Sequence, residues 1–192
     1  MSATVETLER RAEVLGAIRA FFRARGFLEV ETPAIVPCPG LDVHLRPFEV
    51  ARAGWLATSP EFQMKRLLAR GATKVFQIAK AFRREEVGAH HEREFTMLEW
   101  YRGPGAMHDV IADTEALVHH VAEVVGGPEG RLHAGGPIDT HGGQSPGGDG
   151  AAVGVQRLNT ALPWRRLTVR QAFAAWAPNI DIDDPTTDDA FF

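Results

Sequence analysis

A single cysteine in 192 residues excludes an internal disulfide and a cysteine-rich zinc site. That residue, Cys38, stands between Pro37 and Pro39 and reads as a loop position. Its isolation fits a reducing compartment, so a cytoplasmic protein is expected. Long apolar runs are also missing. No stretch approaches the roughly 20 residues that span a bilayer, and the polar, acidic N-terminus shows no signal peptide. No membrane partner is expected. Nor is there an excess of positive charge: 21 Lys and Arg face 25 Asp and Glu, a formal net charge of −4. Nonspecific nucleic-acid binding rests on neutralising phosphates, so it is not indicated. What is present is an ordinary globular composition, 44% hydrophobic and 24% charged, in a chain long enough to bury one good-sized core.

Periodicity predicts a helix over Glu6–Arg25, with Leu8, Leu15, Ile18 and Phe22 on its apolar stripe and Val14 and Phe21 beside them. Thr4 is its expected N-cap and Gly26 its C′ residue. A strand follows at Phe27–Glu31 and stops before Pro33. A second helix is expected over Thr58–Gly71. Ser59 would cap it, Pro60 suits its first position and Gly71 its exit. Phe62, Leu67 and Leu68 would face the core, and Lys65, Arg66 and Arg70 water. Met107–Val125 reads as a third helix, with Val110, Ile111, Leu117, Val118, Val121 and Val125 as its apolar positions. Leu167–Trp176 reads as a fourth, capped by Thr168. Ten of the 19 glycines fall in Gly126–Gly150, which reads as a flexible insertion. His133 and His141 there are ordinary linker residues, and no metal site is expected. Three segments result: a core over 1–125, an insertion over 126–161, and a further stretch of domain over 162–192.

The densest chemistry lies in Lys74–Arg102, KVFQIAKAFRREEVGAHHEREFTMLEWYR. Two strand-like runs, Val75–Arg84 and Glu94–Arg102, flank a charged turn holding Gly88, His90 and His91. Alternation places Phe95, Met97, Glu99 and Tyr101 on one face and Thr96, Leu98, Trp100 and Arg102 on the other. Ala81, Arg83 and Glu85 would share a face in the first run. A hairpin of this kind brings Arg83, Glu85, Phe95, Glu99 and Tyr101 together. That set suits a phosphate, a flat heteroaromatic ring and an ammonium. The plain alternative is a half-exposed hairpin with charges in water. Glu99 argues against it, because it sits between Leu98 and Trp100 with no cation beside it on that face. Burying a lone carboxylate is costly, so a ligand is a fitting partner.

Phe82-Arg83-x-Glu85, His91 and Glu94-Phe95-Thr96-Met97-Leu98-Glu99 strongly resemble motif 2 of the class II aminoacyl-tRNA synthetases, in the lysyl-tRNA synthetase branch. The helix followed by Gly26-Phe27-x-x-Val30-x-x-Pro33 resembles motif 1, which implies a homodimer interface. Ser59-Pro60-Glu61 and Leu98-Glu99-Trp100-Tyr101-Arg102 look more like a short paralogous family of that branch. Its members attach a β-lysine to a lysine of elongation factor P. The resemblance covers roughly Leu8–Arg102 well and Leu167–Asp184 loosely. It implies an α/β (α+β) fold with an antiparallel sheet flanked by helices.

The resemblance also implies the chemistry: ATP, with Mg2+, activates a lysine or β-lysine carboxylate as an adenylate. Arg83 and Glu85 are the implied catalytic pair. Arg83, Arg84, Glu85, His91, Glu92 and Phe95 would bind ATP, with Arg93 near the outer phosphates. Ser59, Pro60, Glu61, Glu99 and Tyr101 would bind the amino acid. Two departures stand out. Glu92-Arg93 replaces the family's Asn-Pro after the histidine, and Arg84 replaces its Asn. No convincing motif 3 is found. Ala152–Leu158 is similar in pattern but lies in the insertion, ahead of Pro163. The chain is therefore expected to be the N-terminal part of a longer enzyme, inefficient by itself. Motif 1 begins so early that an anticodon-binding domain is expected to be absent, which makes tRNA an unlikely partner. A lysyl-tRNA synthetase and a non-catalytic pseudo-synthetase stay open as alternatives.

Overall fold

The computed structural model describes residues 4–40, 45–88, 91–126 and 162–177. His90, the glycine-rich segment with His133 and His141, the Ala152–Leu158 look-alike and the acidic end beyond residue 180 lie outside the described residues. The chain divides into two units, Met1–Leu158 and Asn159–Phe192.

The first unit opens with helix α1, Val5–Ala24. The Thr4 side chain accepts from the Thr7 amide at 3.2 Å, and Gly26 ends the helix with φ of +74°, a conformation that favours glycine. Phe21 and Phe22 are buried as the stripe predicts, together with Ala17. Leu8, expected on the same buried stripe, is 54% exposed. Around it only side chains reach across, Arg10 donating to the Val125 carbonyl at 3.1 Å and Arg11 to the Thr96 hydroxyl at 2.8 Å, and among the described residues nothing covers Leu8 itself.

Strand β1 (Leu28–Glu29) pairs in parallel with β5 (Lys74–Phe82), and β5 pairs antiparallel with β6 (Glu94–Arg102). Helices and sheets together give the expected α/β (α+β) fold; the long hairpin is antiparallel as expected, and the one parallel member of its sheet is the strand that follows α1. A second, antiparallel sheet orders β2 (Ile35–Val36), β4 (Gly54–Leu56) and β3 (Glu49–Val50) as β2-β4-β3. Gly54 is required here. Its φ is +124°, and a Cβ would collide with the Val36 carbonyl.

Helix α2 spans Glu61–Ala69, two to three residues shorter at each end than the sequence pattern predicts. Pro60 is its N-cap rather than its first helical residue. Met64, not Phe62, is its core residue: Met64 is fully buried and Phe62 is 46% exposed. Helix α3, Met107–Gly126, buries Leu117 and Ala122 and leaves Val110 41% exposed.

The core lies on one face of the hairpin. Phe21, Phe22, Phe27, Phe76 and Leu117 form it, with Leu98 and Trp100 of β6 packed against it. Phe22 is its centre, stacked on Phe76 at 4.7 Å and meeting Phe27 at 5.1 Å and Trp100 at 5.5 Å. Arg102 closes the sheet against α3, donating from one guanidinium nitrogen to both oxygens of the buried Asp113 at 3.0 Å. A buried carboxylate needs such a partner. The opposite face of the hairpin is thereby left for other work. Within the second unit, helix α4 (Val169–Trp176) has the expected cap: Thr168 and Gln171 form a reciprocal capping box.

Candidate functional site

Each residue of β6 has a fixed partner across the hairpin, from Lys74 opposite Arg102 to Phe82 opposite Glu94. This register puts Phe95, Met97, Glu99 and Tyr101 on the face away from the phenylalanine core, as the alternation predicts. Glu99 stands opposite Gln77. Gln77 is itself buried and accepts from the Thr32 hydroxyl at 3.0 Å.

Two hydroxyls meet the Glu99 carboxylate. Ser59 Oγ donates to Oε2 at 2.9 Å, and the Tyr101 hydroxyl donates to Oε1. Ser59 Oγ also accepts from the Glu61 amide at 3.1 Å, so the same atom anchors the start of α2. Among the described residues, no lysine, arginine or histidine lies within ion-pair distance of Glu99. A carboxylate oxygen has two lone pairs, and the hydroxyls use one on each. The remaining pair on each oxygen suits an ammonium.

Tyr101 feels this arrangement. Burial first, then its hydrogen bond to Glu99 and the charges of Glu99 and Glu61, push its pKa well above the usual tyrosine value. Glu61 makes an ion pair with Lys65 at 2.5 Å, one helical turn on. Pro60, between Ser59 and Glu61, is fully buried.

At the other end of the hairpin, the Arg83 guanidinium lies 5.1 Å from the centre of the Phe95 ring, within cation–π range. Arg83 Nε donates to the Thr58 carbonyl at 3.3 Å, and its terminal nitrogen bonds Glu86 at 3.0 Å. The structure therefore brings together Ser59, Pro60, Glu61, Glu99 and Tyr101, and separately Arg83 and Phe95. It does not bring Glu85 to Arg83. Glu85 is 60% exposed and pairs with Arg84 at 3.0 Å and Arg46 at 3.9 Å. The Arg83 amide bonds the Arg93 carbonyl at 2.9 Å in the last rung of the ladder, and Arg84 and Glu85 already lie in a turn. Strand alternation does not extend to Glu85, and Glu86 takes the place beside Arg83. The consecutive Glu85-Glu86 pair was the only signal for it in the sequence. His91, Glu92 and Arg93 are exposed at the tip, where Gly88 and His91 bridge.

A cavity of about 710 Å³ opens between α1, the segment after β1 and the edge of β5, lined by Arg19, Arg23, Glu29, Thr32, Gln77 and Lys80 among others. Of the residues expected in the site only Pro60 lines it; Ser59, Glu61, Arg83, Glu99 and Tyr101 do not. The convergent hydroxyls and carboxylate are the stronger argument, so the candidate site is placed at Glu99.

A mixed sheet, a long antiparallel hairpin and a helix started by Ser-Pro-Glu define a synthetase-like catalytic core. The family model "tRNA synthetases class II (D, K and N)" matches residues 2–188, and the chain belongs to that family. Among curated relatives it is similar to the elongation factor P–(R)-β-lysine ligase of Erwinia tasmaniensis, 47% identical over 131 residues, covering 64% of this chain and 40% of that protein. The same-named proteins of Haemophilus influenzae and Pseudoalteromonas translucida are each 44% identical, over 64% and 68% of this chain and 41% and 43% of theirs. The chain thus spans about two fifths of the length of these relatives. No helix of the described residues is long and apolar enough to cross a membrane.

Proposed function

We propose that this chain is part of an ATP-dependent ligase that activates lysine or β-lysine as its adenylate and passes it to a lysine of elongation factor P. The observation that carries this reading is Glu99, a carboxylate held in place by two hydroxyls with no cation upon it. The names of the relatives support the same substrate and acceptor.

Adenylation needs charge neutralisation and placement more than covalent help from side chains. Glu99 receives a substrate ammonium, and Ser59 and Tyr101 hold its carboxylate in one orientation. Arg83 can present its guanidinium to the α-phosphate and the substrate carboxylate when they replace Glu86, which pairs with it at 3.0 Å in the free chain. Phe95 offers a ring face for adenine, and Arg84, His91 and Arg93 lie exposed nearby for the outer phosphates, with Glu92 adding a negative charge among them. Glu85 can join them only by a turn rearrangement. ATP supplies the phosphoanhydride whose cleavage activates the carboxylate. Among the described residues, no three His, Cys, Asp or Glu side chains converge to hold a metal ion. These residues do not form a cage for Mg2+, which commonly binds through nucleotide phosphates and one or two carboxylates.

The acceptor test supplies the full-length enzyme of which this chain is part with labelled lysine or β-lysine, ATP, bulk tRNA and purified elongation factor P. Label is expected on elongation factor P. The net charge of −4 gives little surface to hold tRNA against physiological salt. Efficient charging of tRNA would instead make the protein a lysyl-tRNA synthetase.

Two copies are proposed to pair through Glu6–Pro33. Leu8 and Leu28, 54% and 62% exposed, support this, since a partner would cover them. Light scattering at micromolar concentration should give a dimer mass, and a clean monomer would remove the assignment.

A further inference from the structure

Lys65 stands beside the Glu99 cluster with no assigned role. Two carboxylates occupy this corner, Glu61 at the start of α2 and Glu99 in β6. Glu99 is met by hydroxyls alone. Glu61 already holds an ammonium, with Lys65 Nζ 2.5 Å from its Oε1. The same Nζ lies 5.9 Å from the centre of the Tyr101 ring, whose hydroxyl donates to Glu99. Lys65 therefore sits over the site and not merely along the outside of α2. Its charge is favoured first by the hydrogen bond to Glu61 and more weakly by Glu99.

A lysine or β-lysine carries two ammonium groups, and the site carries two carboxylates. We propose that Lys65 is a tethered competitor for the ammonium site at Glu61, holding that carboxylate until the second ammonium of the substrate displaces it. The inference rests on the reading of the ligand as a diammonium amino acid. Three features fit the role. The Lys65 side chain is 53% exposed, so it can swing into water without leaving a cavity. Its stem is flexible, and its ion pair is of the exposed kind that is weak enough to exchange. Glu61 is also never left without a counter-charge, because one ammonium replaces another. A ligand with only a distal ammonium reaches Glu99 and leaves Lys65 where it is.

Calorimetric titration of the wild-type chain, Lys65→Met, Lys65→Gln and Lys65→Arg tests this with two probes. One is lysine. The other is 6-aminohexanoate, which has the distal ammonium and the carboxylate but no α-ammonium. Both neutral variants should bind lysine about two- to fivefold more tightly than wild type, the size of effect an exposed ion pair gives. Lys65→Arg should match wild type, and 6-aminohexanoate should bind all four proteins alike. Neutral variants that bind lysine no better than wild type would overturn the proposal, as would an equal gain for both probes. Those outcomes leave the substrate reading intact. A wild-type chain that binds no lysine would overturn the substrate reading, and this inference with it.

Discussion

Glu99→Gln should weaken lysine binding roughly ten- to 150-fold while nucleotide affinity changes little. The substitution keeps the side chain's shape and removes its charge. Ser59 and Tyr101 can adapt to it, because a hydroxyl can either donate or accept. What is lost is a charge-assisted hydrogen bond to the ammonium, worth about 1.5–3 kcal/mol. Titration with lysine and, separately, with an ATP analogue measures the two losses. Equal losses would make Glu99 a structural residue. Tyr101 gives a second readout, since it is the chain's only tyrosine and its ionisation is visible in the ultraviolet. Its folded pKa lies above the unfolded value of about 10. Its contribution to stability is therefore complete below about pH 10 and is lost as the pH rises further, where only the unfolded chain gives up the proton. In the glutamine variant burial still holds the pKa up, but the charge of Glu99 no longer does. Tyr101 should then ionise at lower pH than in wild type. An unchanged titration would mean that Glu99 does not govern that hydroxyl.

Phe22→Ala should be the most damaging single substitution, costing about 3–5 kcal/mol. Phe22 is completely buried and touches rings from α1, β5, β6 and the turn after α1. No neighbour can collapse into the space without leaving the others. A domain has only about 5–15 kcal/mol in total, so much of the folded population's margin disappears. Phe62→Ala is the matched control. That ring is nearly half exposed, and its removal should change stability by about 0.5 kcal/mol or less. Urea unfolding followed by tryptophan fluorescence distinguishes them. Similar midpoints for both variants would place the core elsewhere.

The contrast between these two phenylalanines marks how far the sequence could be read. Strong local patterns were legible. The alternation of Glu94–Arg102 predicted a strand with the observed limits and the observed faces, and Thr4, Gly26 and Thr168 predicted helix ends correctly. Choices that depend on what packs where were not legible. Phe62 and Met64 are both apolar and two residues apart, and only the position of α2 against β6 decides that Met64 goes inside. Leu8 fits the α1 stripe by spacing, but the described chain puts nothing over it. Nothing in the sequence singled out Asp113, whose burial depends on the fold carrying Arg102 across to it. In the site, the grouping around Glu99 followed from strand parity plus a Ser-Pro-Glu helix start. The exchange of Glu85 for Glu86 did not, because parity stops where the ladder stops. Lys65 was read as a solvated residue, and it is half exposed. Its nearness to Tyr101 is a tertiary fact that no spacing encodes.

The unbroken pairing from Lys74–Arg102 to Phe82–Glu94 sets what length changes this hairpin can survive. Deleting one residue inside β6 would not trim the strand gently. Because side chains alternate, it would turn Trp100 toward Ser59 and drive Glu99 into the phenylalanine cluster, losing core and site in one event. Residues added at the Gly88–His91 tip leave the register of both arms and the Glu99 cluster as they are, since the last rung lies below them at Arg83 and Arg93, and they shift only His91 and its exposed neighbours. Lineages of this protein should therefore differ in length at the tip of the hairpin and keep its two arms at constant length.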